Sequence, residues 1–217
     1  MPLSQRIAAW AVAVALAAGA AAEASSERSD ALLAEAKQLR ASGQWDRALQ
    51  RTRMALTSPD VSEAQAVASI RLRAEILEER GRSVEGAALR DYLARHPWRA
   101  EAGGAPPQGP ITKEACIELH QKRSPGDELR VKWKRPTMRA RPTFPGRAVA
   151  SYSVDAQGGI RDIRLLDATS FLVAVHAIET LAISRAATHS VQATSPELFP
   201  VKRCEVFDYP AERAKGK

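Results

Sequence analysis

Residues 141–166, RPTFPGRAVASYSVDAQGGIRDIRLL, contain two runs of apolar and β-branched residues on either side of a turn sequence. Ala148–Val154 and Ile160–Leu166 have the composition of two strands. Asp155–Gly159 has the composition of the turn between them, since Gly supplies a positive φ at low steric cost. The stretch therefore predicts an antiparallel β-hairpin. Its buried side stays open, because the apolar residues of the first strand do not follow one strict alternation.

Elements on both sides of the hairpin complete a small α+β domain. Thr112 is a candidate cap for a short helix, Lys113–Gln121, that precedes the hairpin. After the hairpin, a long apolar helix is expected from Phe171 to about Ala187, and a third strand from Phe199 to Phe207. This order favours one helix packed on a small antiparallel sheet, because that arrangement buries the apolar faces of both.

The amino-acid sequence of this region resembles the C-terminal domain of TonB-type proteins. That family has a Pro-aromatic-Pro element before its first strand and a V-D-x-x-G turn after it, and a helix and a final strand follow. The matching residues are Arg141–Ala148, Tyr152–Asp155, Gly158, Ile160 and Asp162–Ile163. The resemblance spans about residues 135–209.

The resemblance implies a binding role in the cell envelope. Domains of this family take up a short segment of an outer-membrane transporter as an extra strand at a sheet edge. Protein partners of this kind are therefore expected here, bound beside the first or the last strand. The residues expected to contact such a partner are Arg141, Pro142, Phe144, Pro145, Tyr152, Glu205, Phe207 and Tyr209.

A stretch of Gly and Pro divides the chain. Residues 103–110 read GGAPPQGP, a composition that the interior of a helix or strand does not tolerate. The residues before it are rich in Ala, Leu, Glu and Arg, and the residues after it bring strand-like alternation and frequent prolines. The sequence therefore predicts a helical domain over 23–100, a linker over 101–111 and the α+β domain over 112–217.

The helical domain is expected to hold two pairs of helices. The four predicted helices are Ala31–Ala41, Trp45–Leu56, Ser62–Arg80 and Ser83–Arg95. Gly43 and Gly81 lie between the helices of each pair, where a left-handed residue ends a helix cheaply.

The two pairs form an internal repeat that resembles the tetratricopeptide pattern. The matching residues of the first unit are Ala36, Leu39, Gly43, Trp45, Ala48, Ala55 and Pro59, and those of the second are Ala74, Leu77, Gly81, Ala87, Leu93 and Pro97. The resemblance implies helical hairpins in which small residues let paired helices approach. The alternative is a four-helix segment of no particular family.

Residues 1–22, MPLSQRIAAWAVAVALAAGAAA, have the composition of a secretory signal peptide. Arg6 gives a positive start, an uncharged apolar run follows, and Ala20–Ala22 fits the small-residue cleavage pattern. The apolar run is shorter than the roughly 20 residues that span a bilayer. We therefore expect export to the periplasm; the alternative is an uncleaved anchor in the inner membrane, facing the periplasm.

Cys116 and Cys204 are the two cysteines of the chain. Two cysteines exclude a disulfide-dense scaffold and a zinc site with four Cys ligands. An exported protein meets an oxidising compartment, so the pair is expected to form a disulfide between the short helix and the last strand. The alternative is a pair of free buried thiols.

Charge and composition limit the remaining choices. The chain carries a net charge of +7 and is 45% apolar, which is too apolar for a disordered chain and too charged for a protein with many membrane spans. A basic stretch runs from Lys122 to Arg147. Because the chain is expected to be exported, we expect no nucleic-acid partner; peripheral contact with an anionic envelope surface is the corresponding option, and a solvated face is the plainer one.

No motif of a known catalytic or cofactor site is present. The chain lacks a nucleophile elbow, a phosphate-binding glycine loop and a dinucleotide fingerprint. His176 and Glu179 share a helix face, but further ligands at metal-binding spacing are missing. We therefore expect no enzyme, no cofactor and no metal. A periplasmic interaction protein is the leading hypothesis, followed by a membrane-anchored transducer of the TonB type and by an envelope enzyme with an unrecognised site.

Overall fold

The computed structural model describes residues 27–58, 61–95, 112–121, 131–134, 145–187 and 199–209. The signal peptide predicted for residues 1–22 and the linker predicted for 101–111 lie outside these residues. The described chain forms two compact units, which meet between Ile76 and Leu77 within one helix. Unit 1 ends at Ile76, and unit 2 begins at Leu77.

The chain is a mixed α+β protein. Its helices are α1 (27–41), α2 (Trp45–Leu56), α3 (Glu63–Glu79), α4 (Ser83–Arg95), α5 (Lys113–Gln121) and α6 (Phe171–Ile183). Its strands are β1 (Val131–Lys132), β2 (Gly146–Val154), β3 (Ile160–Ala168), β4 (Arg185–Ala186) and β5 (Val201–Tyr209). The predicted helices and strands therefore correspond to observed elements, with ends that move by up to a few residues.

Unit 1 packs helices through small residues. Ala36, Ala48 and Ala55 are fully buried, and their short side chains let neighbouring helices approach closely. Polar contacts join the helices at the edges of this core: an ion pair of 2.8 Å links Arg51 to Glu35, and Gln65 donates to Asp30 at 2.9 Å.

A buried arginine ties α3 to α2. The Arg73 Nη1 donates to the carbonyl oxygen of Leu49 at 2.8 Å and to the hydroxyl of Thr52 at 3.2 Å. Arg73 is 6% exposed and Thr52 is fully buried. A guanidinium removed from water needs such partners, so these contacts hold the two helices in one register.

Unit 2 is built on a three-stranded antiparallel sheet with the order β3-β2-β5. β2 and β5 pair along their whole length without a break, from Gly146 opposite Tyr209 to Val154 opposite Val201. The β2–β3 pairing shifts twice, between Val149 and Ala150 and again between Ser151 and Ser153. The middle strand is thus bound regularly on one side and irregularly on the other.

The predicted hairpin turn is held by its aspartate. The Asp155 Oδ1 accepts from the amides of Gln157 at 3.0 Å and Gly159 at 2.6 Å. Gly158 has a φ of 77°, the left-handed value for which glycine is suited. The turn is therefore fixed by the side chain that begins it.

Helices cover both faces of the sheet. α6 begins with the Ser170 hydroxyl, which accepts from the Val173 amide at 3.3 Å, and it packs on β2 and β3. A Cβ atom at Gly146 would lie 2.5 Å from the Val173 side chain, so the glycine allows this close approach. α5 packs on β2 and β5. Because β2 is buried on both faces, its sequence shows no strict alternation.

Two features of unit 2 differ from the predictions. α6 ends at Ile183 instead of near Ala187, because Ser184 is extended and the next two residues form β4. β4 pairs with β1, and this small second sheet was not predicted. The Lys134 amide also donates to the Ser184 hydroxyl at 3.0 Å, which adds to the contacts that stop the helix.

α4 belongs to the sheet domain by its contacts. It packs on β3 and α6, and the rings of Tyr92 and Phe171 meet edge to face with centroids 6.4 Å apart. The sheet is thus packed against α4 and α5 as well as against the one helix that the sequence predicted. No helix among the described residues has the length and apolar character needed to cross a membrane.

Candidate functional site

A disulfide joins Cys116 of α5 to Cys204 of β5, with 5.6 Å between the Cα atoms. The pairing predicted from the sequence is confirmed, and no cysteine is free. Both cysteines are buried in a small apolar cluster with Val149 of the middle strand. Ile117, Leu166 and Val206 pack around this cluster. The disulfide therefore fastens α5 to the last strand, on the face of the sheet opposite α6.

β5 is the regular edge of the sheet. It pairs with β2 on one side, and the described part of the chain places no strand on its other side. β3, the opposite edge, carries both irregularities of the sheet and packs against α4. Bulges and covering helices are the devices by which proteins block strand pairing at an edge. Of the two edges, β5 is accordingly the better template for an added strand.

Four aromatic and imidazole rings line the α6 side of β5. The rings of Trp133 and Phe207 meet edge to face at 5.5 Å, and Phe207 stacks with Tyr209 at 6.4 Å. His176 of α6 meets Tyr209 edge to face at 5.2 Å. We call Trp133, Phe207, Tyr209 and His176 the aromatic row. The row puts aromatic rings along the edge and an imidazole at one end.

Two large apolar side chains of the described residues are exposed, one against Phe207 of β5 and one on α5, the helix that the disulfide joins to β5. Leu119 is 56% exposed and Trp133 is 41% exposed. Trp133 contacts the aromatic row, on the α6 side of β5. Leu119 is one helical turn after Cys116, in the helix that the disulfide joins to β5. Exposed apolar residues close to a sheet edge are typical of a docking site.

The environment of Tyr209 keeps its phenol neutral. Burial raises the pKa of Tyr209 above its usual range, and the nearby Thr180 side chain acts in the opposite direction. Lys113 and Asp167 form an ion pair of 2.6 Å on the opposite face, where α5 begins. The Tyr209 end of the aromatic row is therefore uncharged, and Glu205 shares its face of β5.

The structure brings three of the predicted partner-binding residues together. Glu205, Phe207 and Tyr209 lie in β5, and the His120 Nδ1 is 3.8 Å from the Glu205 carboxylate. The other predicted residues lie elsewhere. Tyr152 is in the middle strand and 2% exposed, and Pro145 is exposed just before β2. Arg141, Pro142 and Phe144 lie outside the described residues.

The sequence did not identify Leu119, Trp133 or His176 as parts of this surface. Leu119 lies in a helix whose only buried residue is Cys116. An apolar residue at a position that does not join the core was the signal that could have marked it. Trp133 stood in a basic stretch, where its charged neighbours suggested an anionic surface. His176 lies on an apolar helix, and only the fold brings it to Tyr209.

No group of three or more His, Cys, Asp or Glu side chains in the described residues is arranged to hold a metal ion. No protein-family model, no curated protein and no solved structure matches the chain.

Proposed function

We propose that this chain is a periplasmic protein-binding module that takes up an extended segment of a partner as a fourth strand beside β5. The partner class is the one that the TonB resemblance implies, an outer-membrane transporter or another envelope protein. The chain acts by binding and catalyses no reaction in this proposal. Residues 1–22 direct its export.

One observation carries the proposal: the two exposed large apolar side chains of the described residues lie on elements that contact the regular edge β5, Trp133 against Phe207 and Leu119 on α5. An added strand gains main-chain hydrogen bonds along the edge, and its side chains point alternately to the two faces. One set would meet Trp133 and the aromatic row, and the other would meet Leu119. The preferred segment therefore alternates apolar residues on at least one face.

The disulfide supports this use of the edge. It holds α5 against β5, so Leu119 stays beside the strand instead of moving with a free helix. A surface that is ordered before binding loses less conformational entropy when a partner docks. In an oxidising compartment the edge is therefore preorganised.

The helices of unit 1 supply the second part of the proposal. Buried alanines at positions 36, 48 and 55 agree with the small-residue positions of a tetratricopeptide unit. We propose that these helices form a tetratricopeptide-like unit that docks a further protein, while β5 takes the extended segment.

Site-specific crosslinking in cells tests the docking edge. A photoreactive phenylalanine analogue is placed at Leu119 or at Trp133, and irradiated cells are fractionated. Ala64, exposed in α3, takes the same analogue as the matched control. We expect an adduct from positions 119 and 133 in the envelope fraction, with a transporter identified by mass spectrometry, and none from position 64. Equal adducts from all three positions, or none, would contradict the proposal.

The mode of binding needs a second measurement. Amide hydrogen exchange of the purified complex reports which strand gains hydrogen bonds. Strand addition slows exchange in Val201–Tyr209 and leaves Ile160–Ala168 unchanged. Protection of both edges to the same extent would point to general stabilisation, and the proposed fourth strand would then be wrong.

A further inference from the structure

A groove of about 630 Å³ lies in unit 2 between α4 and the sheet. This volume is in the range of sites for small molecules. Four of its fourteen lining residues are basic and two are acidic. The groove includes Lys202 and Arg203 at the start of β5, whereas the exposed apolar side chains beside the docking edge lie on α5 and next to β1.

Two buried serines form part of the groove wall. Ser151 is 7% exposed and Ser153 is 6% exposed, and both line the groove. They are two positions apart on β2 and so share one face of the sheet, the face opposite α6. A ligand in the groove would meet both residues, and each hydroxyl can donate one hydrogen bond to it.

The strand register puts cations on both sides of these hydroxyls. Ser153 pairs with Arg161 on β3 and with Lys202 on β5, and Ser151 pairs with Arg164. Side chains directly opposite each other in an antiparallel sheet have Cβ atoms about 5 Å apart. A row of cation, hydroxyl and cation therefore crosses the sheet at Ser153. We call Arg161, Arg164, Lys202 and the two serines the basic groove.

A bulge in β3 makes this arrangement possible. Arg161 and Arg164 are three positions apart, and simple alternation would point them to opposite faces. Asp162 has a φ of 49°, and the register shifts by one residue at this point. The extra residue brings both arginines to the same face, and Ile163 between them stays buried.

Most charges of the groove are only partly neutralised. Arg161 pairs with Asp155 at 3.2 Å, and the pair of Arg164 with Asp91 is long, at 3.8 Å. Asp91 is also bound by Arg95. Lys202 is exposed and makes no ion pair with a described residue. A ligand with negative charge would therefore meet cations that still have donors to offer.

The first turn of α4 adds main-chain donors. Ser83 and Val84, the first two residues of this helix, line the groove. The first amides of a helix have no partner within it, and the helix dipole favours negative charge at this end. Glu85 follows them, but it is buried and paired with Arg82 at 2.5 Å.

We propose that the basic groove binds a phosphate monoester. The lining of the groove has four basic and two acidic residues, and Asp155 neutralises part of the charge of Arg161, so the remaining net charge is positive and favours an anionic ligand. A terminal phosphate offers three acceptor oxygens, enough to take the Ser151 and Ser153 hydroxyls together with Arg164 and Lys202. A carboxylate has two oxygens and one charge, and it would leave donors unmatched.

Titration calorimetry with glycerol 3-phosphate tests the site. Lys202→Gln and Ser153→Ala alter the groove, and Lys132→Gln removes an equal charge from an exposed position outside it. We expect saturable binding by the native protein. Lys202→Gln should weaken it about 10-fold or more, Ser153→Ala by several-fold and Lys132→Gln by less than 2-fold. Circular dichroism establishes that each variant is folded.

Three results would overturn the proposal. They are no saturable binding at millimolar glycerol 3-phosphate, equal weakening by Lys202→Gln and Lys132→Gln, and equally tight binding of succinate. The last result would assign the groove to carboxylates.

The phosphate has two sources, a soluble ester or a lipid headgroup. Flotation with vesicles of phosphatidylcholine, with and without phosphatidic acid, separates them. Binding that needs phosphatidic acid and is lost in Lys202→Gln supports a lipid headgroup. Calorimetric binding without flotation supports a soluble ester. Flotation that Lys202→Gln leaves unchanged would contradict the groove as the lipid site.

Discussion

The Ala186 amide donates a 2.9 Å hydrogen bond to the carbonyl oxygen of Gly158. This contact joins the tip of the β2–β3 hairpin to the short strand that follows α6. The backbone of Ala186 also fills the space beside Gly158, since a Cβ atom there would lie far closer to its carbonyl oxygen than van der Waals contact allows. The hairpin turn and the end of α6 are therefore fitted to each other.

Gly158→Ala should destabilise the protein more than Gly43→Ala does. Both glycines have a left-handed φ, which costs a residue with a side chain about 1 kcal/mol. At Gly43 a Cβ atom meets nothing within 4 Å, whereas at Gly158 it meets the Ala186 carbonyl. Urea unfolding should give about 1 kcal/mol for Gly43→Ala and clearly more for Gly158→Ala. Equal losses of unfolding free energy for the two variants would contradict this, because the turn would then accommodate the added methyl group at no cost.

Removing the disulfide should weaken unit 2. The bond closes a loop of 88 residues, and losing a native disulfide typically costs about 2–5 kcal/mol. A Cys116→Ser, Cys204→Ser variant should unfold at lower urea than the oxidised protein. Reductant should lower the urea midpoint of the native protein to that of the variant, and it should leave the midpoint of the variant unchanged. A native protein that does not respond to reductant would contradict this expectation.

Arg73→Met should be far more damaging than Arg71→Met. Arg73 is buried and bonded to the Leu49 carbonyl and the Thr52 hydroxyl, whereas Arg71 is exposed in the same helix. Hydrogen bonds to a charged group contribute about 1.5–3 kcal/mol each, so a loss of roughly 2–3 kcal/mol is expected for Arg73→Met. Arg71→Met should change stability by less than about 0.5 kcal/mol. Thermal or urea unfolding of the two variants decides the comparison.

Stability should fall at alkaline pH because of two tyrosines. Burial raises the pKa of both Tyr92 and Tyr209 above the ordinary value of 10.0, with the charge of Asp167 adding to the effect at Tyr92. Each raised pKa stabilises the folded state fully below about pH 10, and this contribution is lost as the pH rises beyond it. The slope is at most about 1.4 kcal/mol per pH unit for each group.

The absorbance of tyrosinate at 295 nm, followed against pH, measures this titration. Tyr92→Phe and Tyr209→Phe should each remove a late-titrating signal and flatten the fall in stability. A native protein whose three tyrosines all titrate near pH 10 would contradict the expectation.

The sequence predicted most elements of the sheet domain because their signals are local. The Asp155–Gly159 turn carries its own hydrogen-bond acceptor and its own glycine at the left-handed position. Thr112 and Ser170 cap α5 and α6 through their hydroxyls. Such signals act within a few residues, so the local sequence is enough to predict these elements. The disulfide was readable because the chain has two cysteines and one way to pair them.

What the sequence did not predict depends on contacts between distant residues. Ser184–Ala187 has no strong helix breaker, and α6 ends there because β4 pairs with β1. The docking edge needed the register of β5 and the place of α5 beside it. The basic groove needed the bulge at Asp162, which brings Arg161 and Arg164 to one face. A pattern rule with a fixed period of two cannot indicate an inserted residue.

The bulge at Asp162 also determines how β3 can change during evolution. Replacing Asp162 with Asn or Gly keeps a residue that tolerates the left-handed backbone. Deleting it would shift the frame of the strand, so that Arg161 turns towards the core of the sheet domain. Point substitutions are therefore admissible here, whereas a single-residue deletion is not. A descendant chain would need to preserve the number of residues in β3 more strictly than their identity.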